Sequence, residues 1–130
     1  MKALDTNVLV RLLVSDDPEQ ARRAAAYIER YCTSETPCWL NRVVLCELVW
    51  VLDRAYGYGR IEIATALEAL LRTAQFKTEE SDIAWAALHA YRAGADFADV
   101  VIALTNQRSG CEATATFDGK AMKQHGFEPV

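Results

Sequence analysis

Five carboxylates stand out by their surroundings: Asp5, Glu47, Asp96, Asp99 and Asp118. Asp5 closes the short extended candidate Lys2-Ala3-Leu4, and Asp118 closes the β-prone run Ala113-Thr114-Ala115-Thr116-Phe117. In open α/β sheets ligands bind beyond the carboxyl ends of strands, so both acids are expected on the functional edge. Asp96 and Asp99 belong to GADFADVVIAL and, at i and i+3, share one face of a first helical turn. Glu47 lies inside VVLCELVWVL, where its helical neighbours Val43, Val44, Trp50 and Val51 are all apolar. An ionised carboxylate buried on such a face is costly unless it is paired, protonated or on a metal, so Glu47 is expected to be buried with a partner.

Four of the five also have a plain structural role. Asp5 and Asp96 suit helix N-caps, Asp99 suits the positive end of a helix dipole, and Asp118-Gly119 suits a turn. If the acids converge, they cannot all stay ionised in a cleft without a counter-charge. Oxygen-only donors favour a hard cation, Mg²⁺ or Mn²⁺, and the chemistry that most uses such a site is phosphodiester hydrolysis. Thr6 and Thr116 are the neighbouring hydroxyls, and strand alternation puts Thr116 on the same side as Asp118.

The elements that must position these residues alternate. A strand at Lys2–Leu4 passes into a helix from Asn7 to Val14, and Ser15-Asp16-Asp17-Pro18 opens a second helix to about Tyr31. Pro37 to Leu40 is a strand candidate, Asn41 to Tyr56 a helix ended by Gly57-Tyr58-Gly59, and Arg60 to Thr73 a helix by its apolar spacing. Phe76 to Thr78 is a short strand, Ser81-Asp82 opens a helix to about Ala93, and Asp96 to Ser109 is the next helix, closed by Gly110. The strand Ala113 to Phe117, a short helix Lys120 to Gln124 and an extended piece Phe127 to Val130 complete the chain. This order predicts one α/β domain over residues 1–130, a three-layer α/β/α sandwich around a small, mainly parallel sheet.

Composition excludes several classes. No apolar run approaches a membrane span, and Asp5 falls where a signal peptide needs its apolar centre, so a cytoplasmic protein is expected. Cys32, Cys38, Cys46 and Cys111 lack C-x-x-C spacing and read as reduced packing residues, without a disulfide framework, and His89 and His125 have no ligand-spaced partners. A net charge of −4 argues against a broad basic surface; Arg11, Arg22, Arg23 and Arg42 are candidate phosphate contacts, although basic residues on helices more often form solvated surface.

LDTNVLVRLL, CELVWVL, GADFADVVIA and TATFD, in that order, resemble the four acidic motifs of PIN-domain ribonucleases, and in chain length the sequence is similar to VapC-like toxins of bacterial type II toxin–antitoxin pairs. The resemblance implies an acidic pocket for Mg²⁺ or Mn²⁺ and endonucleolytic cleavage of RNA. By position, Asp5, Glu47, Asp99 and Asp118 match the acidic motifs, and Thr6, Asn7 and Thr116 match the polar residues beside them. Asp96 is an added acid that caps the helix or supports the metal. The resemblance also implies a homodimer and a cognate antitoxin whose peptide covers the site.

Other readings carry less. An aspartate-nucleophile phosphatase would need a second acid where Asn7 stands, and a response-regulator receiver would need a late lysine where Asp118 stands. A non-catalytic PIN-like module that binds RNA or protein keeps the fold and predicts no carboxylate-dependent Mn²⁺ affinity.

Overall fold

The backbone turns helical directly after Asp5, because the Asp5 carboxylate accepts the Thr6 N–H at 2.7 Å and so caps α1, Thr6–Leu13. In the computed structural model, which describes residues 1–130, ten further elements follow. They are α2 (Pro18–Tyr31), β1 (Cys38–Leu40), α3 (Arg42–Arg54), α4 (Arg60–Arg72), β2 (Phe76–Thr78), α5 (Ser81–Arg92), α6 (Phe97–Arg108), β3 (Thr114–Thr116), a 3₁₀ turn (Ala121–Lys123) and β4 (Phe127–Pro129). Helices alternate with short parallel strands, the α/β class expected from the sequence. The chain divides into two compact units, Met1–Ser81 and Asp82–Val130.

In the first unit α1 packs on α2 and α3, and β1 pairs in parallel with β2, Cys38 opposite Phe76 and Leu40 opposite Thr78. The strand expected at Lys2–Leu4 is reduced to a single parallel bridge between Ala3 and Trp39. Its backbone is nonetheless paired: Leu4 N–H donates to the Trp39 carbonyl at 3.1 Å and Trp39 N–H to the Lys2 carbonyl at 2.8 Å. Capping by Asp5 starts the helix before a longer ladder can form. Leu9, Leu40, Leu45, Leu48, Leu52, Ile63 and Leu67 are buried.

Asp17 caps α2 by accepting the Gln20 N–H at 3.0 Å, with Pro18 at the first helical position, where its missing N–H costs nothing. Asn41 caps α3 through the Val43 N–H at 2.6 Å. The expectation of reduced cysteines is corrected by a disulfide between Cys32, at the end of α2, and Cys38, at the start of β1. The turn between them brings the two Cα atoms to 5.0 Å, within bridging range, a proximity that spacing alone does not disclose. Cys46 and Cys111 are free.

In the second unit β3 pairs in parallel with β4, Thr114 opposite Phe127 and Thr116 opposite Pro129. Phe97 and Tyr91 meet edge to face at 6.4 Å, and Ile83, Leu88, Val101 and Ala103 are buried with them. Arg108 at the end of α6 is ion-paired to Asp82 at the start of α5. The turn before β4 needs Gly126, at φ +98°, where an added Cβ would stand 2.9 Å from the Gln107 amide nitrogen.

Candidate active site

Asp5, Thr6 and Glu47 form the acidic site of the first unit. Asp5 is exposed at the head of α1, while Thr6 behind it is buried and donates its hydroxyl proton to Glu47 Oε1 at 3.0 Å. These residues, with Asn7, Arg11 and Tyr56, line a hollow of about 320 Å³. The hydrogen bond fixes one carboxylate oxygen of Glu47 and leaves the other for a ligand.

The expected burial of Glu47 is overturned. α3 buries the stripe Leu45, Leu48 and Leu52, whereas Glu47 is exposed, together with Val43 at 65% and Trp50 at 62%. The apolar neighbours of Glu47 therefore line a solvated face, and its carboxylate carries no burial penalty that a metal or partner must offset.

α3 is further anchored by Glu79, just beyond β2, whose Oε1 accepts both the Arg42 backbone N–H at 2.9 Å and the Arg42 Nε–H at 3.0 Å. The backbone donor and the guanidinium hold the Glu79 carboxyl below its ordinary range. Arg11 is engaged likewise: it pairs with Asp16 and donates Nε–H to Gln20 at 2.7 Å, and Asp16 also accepts from the Tyr56 hydroxyl at 3.0 Å. Two of the four arginines proposed as phosphate contacts, Arg11 and Arg42, thus have internal carboxylate partners, which the sequence did not reveal.

The second unit brings Asp96, Asp99 and Asp118 into electrostatic contact. Asp96 is the N-cap of α6 and accepts the Asp99 N–H at 2.9 Å. Burial raises the pKa of the half-buried Asp99, and the charges of Asp96 and Asp118 raise it further. Asp118 follows β3, where its own N–H donates to Thr116 Oγ1 at 3.0 Å and its Oδ1 accepts the Lys120 N–H at 2.9 Å. Thr116 thus fixes the backbone that carries Asp118.

No three Asp, Glu, His or Cys side chains meet at ligand geometry around one point. The fit to an ion rests on donor chemistry. The candidate donors are carboxylates and hydroxyls, which suit Mg²⁺ or Mn²⁺, and the crowded charges around Asp99 are of the kind a cation relieves.

Residues 2–128 match the PIN domain family. The chain belongs to the PIN domain family. It is similar to "VapC ribonuclease" of Aquifex aeolicus (strain VF5), with 26% identity over 131 residues, covering all of this chain and 96% of that protein. No solved structure matches. In this PIN domain the residues that sequence reasoning missed are Glu79, which anchors α3, and Tyr56, which completes the Arg11–Asp16 network. Neither lies in an acidic motif. Their partners lie 37 and 40 residues away in sequence, so no local signal points to them.

Proposed function

We propose that this PIN domain is a Mg²⁺- or Mn²⁺-dependent endoribonuclease that acts in the cytoplasm as the toxin of a toxin–antitoxin pair, as a homodimer restrained by a cognate antitoxin. Asp5 and Glu47 of the first unit, and Asp99 and Asp118 of the second, are the acids proposed as metal ligands, with Asp96 in support. The observation that carries the reading is the Thr6–Glu47 hydrogen bond beside Asp5, since it orients an exposed carboxylate that needs no structural partner of its own. Full-length similarity to a protein named as a ribonuclease supports the choice of RNA.

A bound divalent ion supplies an activated water and neutralises charge on the leaving oxygen. The chain's own residues supply the rest. Thr6 keeps Glu47 in one rotamer, and the caps at Asp5 and Asp96 fix the starts of α1 and α6. Thr116 holds the turn at Asp118, and Asn7 adds a neutral amide able to bind a phosphate or sugar oxygen without adding charge.

The test is cleavage of a structured RNA by purified protein with Mg²⁺ or Mn²⁺, beside Asp5→Asn and Asp99→Asn. Each variant is expected to lose about 100-fold or more in rate. Both variants cutting as fast as the parent would refute the site. Mn²⁺ titration calorimetry separates an enzyme from a binding module, because the enzyme requires an affinity that falls in both variants.

A further inference from the structure

The acidic hollow of the first unit opens into a second, larger groove of about 700 Å³ between α1 and α2, and the two share Asp5, Asn7 and Arg11. The α2 side of this groove is built from Gln20, Arg23 and Tyr27. Their spacing of three and four residues places them in one line along the helix, and Tyr31 extends that line by another turn.

The side chains along the line are of two kinds. Arg23 is exposed and makes no ion pair, in contrast to Arg11, whose charge Asp16 takes up. Tyr27 and Tyr31 present exposed rings with centroids 4.7 Å apart, tilted by 48°. Lys2 Nζ and the Arg30 guanidinium each lie 5.2 Å from the Tyr31 ring centre, and neither is ion-paired. The α2 line carries no carboxylate. In a chain of net charge −4, this is a local cationic strip with aromatic platforms, ending at an acid of the proposed hydrolytic site.

We infer that the α1–α2 groove is the seat of single-stranded RNA beside the scissile phosphate, with Arg23 on a backbone phosphate and Tyr27, backed by Tyr31, as the stacking platform for an unpaired base. The inference rests on the nuclease reading for the identity of the strand. Cationic grooves lined by aromatic rings bind single strands by this combination, since every base has a π-face and every linkage a charge. Lys2 and Arg30 reinforce the Tyr31 end, where they add charge without blocking the Tyr27 ring. Arg11, held by Asp16 and Gln20, lines both the hollow and the groove and is not free to take a phosphate.

The experiment measures binding without turnover. A fluorescein-labelled single-stranded oligoribonucleotide of about 12 nucleotides is titrated with the full chain in excess EDTA and followed by anisotropy. Arg23→Ala is expected to weaken binding and to flatten the dependence of log affinity on log salt by about 0.7. Tyr27→Ala is expected to weaken it about tenfold or more. Tyr27→Leu, which keeps an apolar side chain but removes the ring, should behave like Tyr27→Ala, whereas Arg72→Ala on α4 should bind as the parent does. Circular dichroism checks that each variant is folded.

Parent-like affinity in both Arg23→Ala and Tyr27→Ala overturns the proposal. So does an equal loss on the same strand annealed to its complement, or binding of an acidic peptide at this groove in place of RNA. Cleavage in Mg²⁺ is read separately. Ring-dependent RNA binding without cleavage refutes hydrolysis and leaves the groove standing, whereas cleavage with binding indifferent to Arg23 and Tyr27 refutes the groove alone.

Discussion

Asp96 offers the sharpest quantitative test, because its two interactions respond differently to two substitutions. Its carboxylate accepts one N–H, that of Asp99 at 2.9 Å, and its charge raises the Asp99 pKa. Asp96→Ala removes both. The orphaned N–H lies at an exposed helix end that water can reach, so the expected cost is about 1 kcal/mol, the middle of the range for a lost N-cap. For a chain of this size that lowers the melting temperature by about 4 °C. Asp96→Asn keeps an acceptor oxygen in place and removes only the charge, so its cost at neutral pH should be no more than a few tenths of a kcal/mol.

The sign of the pH effect follows from Asp99. A carboxyl whose folded pKa is raised disfavours folding once it must ionise, so its penalty grows as pH rises through the unfolded value and is complete above the folded one. Asp96→Asn relieves part of that penalty and should compare better with the parent at neutral pH than at about pH 3. Burial is the largest cause of the elevation, so the Asp99 pKa should fall in Asp96→Asn without reaching its ordinary value. Denaturant unfolding at both pH values and carboxyl-carbon NMR of Asp99 measure the two effects. If Asp96→Asn destabilises as much as Asp96→Ala, or Asp99 titrates unchanged, the assignment of Asp96 as cap and charged neighbour is wrong.

Other consequences can be checked as directly. Reducing the Cys32–Cys38 bridge, which spans a sequence separation of 6, should lower the unfolding free energy by about 2 kcal/mol; an unchanged denaturation midpoint in reductant would count against the bridge. Gly126→Ala combines φ +98° with a Cβ 3.3 Å from that of Ala103, and should cost about 1–3 kcal/mol by thermal denaturation. Arg108 holds the Asp82 carboxyl at about 2. That pair's contribution is present above the ordinary Asp range and lost as pH falls towards about 2, so Arg108→Ala should flatten the acid side of the stability curve in that window. Glu79→Gln keeps an acceptor for the Arg42 N–H but loses the ion pair, and should destabilise less than Glu79→Ala in denaturant melts.

The helices were legible because their starts and stops are local chemistry. Asp17 with Pro18 and Asp96 cap where their residue types predicted, Asn41 caps a helix it was expected to begin, and Gly94 and Gly110 end the helices they follow, both at positive φ. The four strands also fall where they were expected, Phe76–Thr78 with the same bounds, but each is three residues long, too short for alternation to declare which face is buried. Glu47 shows the corresponding limit for helices. In a segment as apolar as Val43 to Leu52, the sequence does not say which stripe the core takes, and here it takes Leu45, Leu48 and Leu52. Of the candidate acids, Asp5, Asp96 and Asp118 occupy the turns and caps expected of them. The disulfide and the Glu79 anchor depend on how separate segments are brought together, which no local pattern encodes. Tyr27 and Tyr31 drew no notice in the sequence, and their use as a surface emerges only with the groove.

The outward face of α3 also furnishes a spectroscopic handle. Trp50 stands one helical turn beyond Glu47 with 62% of its surface in solvent, whereas Trp39 and Trp85 are half-buried. Its indole should therefore emit at long wavelength and be the most accessible of the three to a soluble quencher. Anything that settles over Glu47, whether RNA, a protein segment or a second copy of the chain, should shift that emission to the blue and shield it. Occupancy of this side of the molecule can thus be followed in unlabelled protein by light alone.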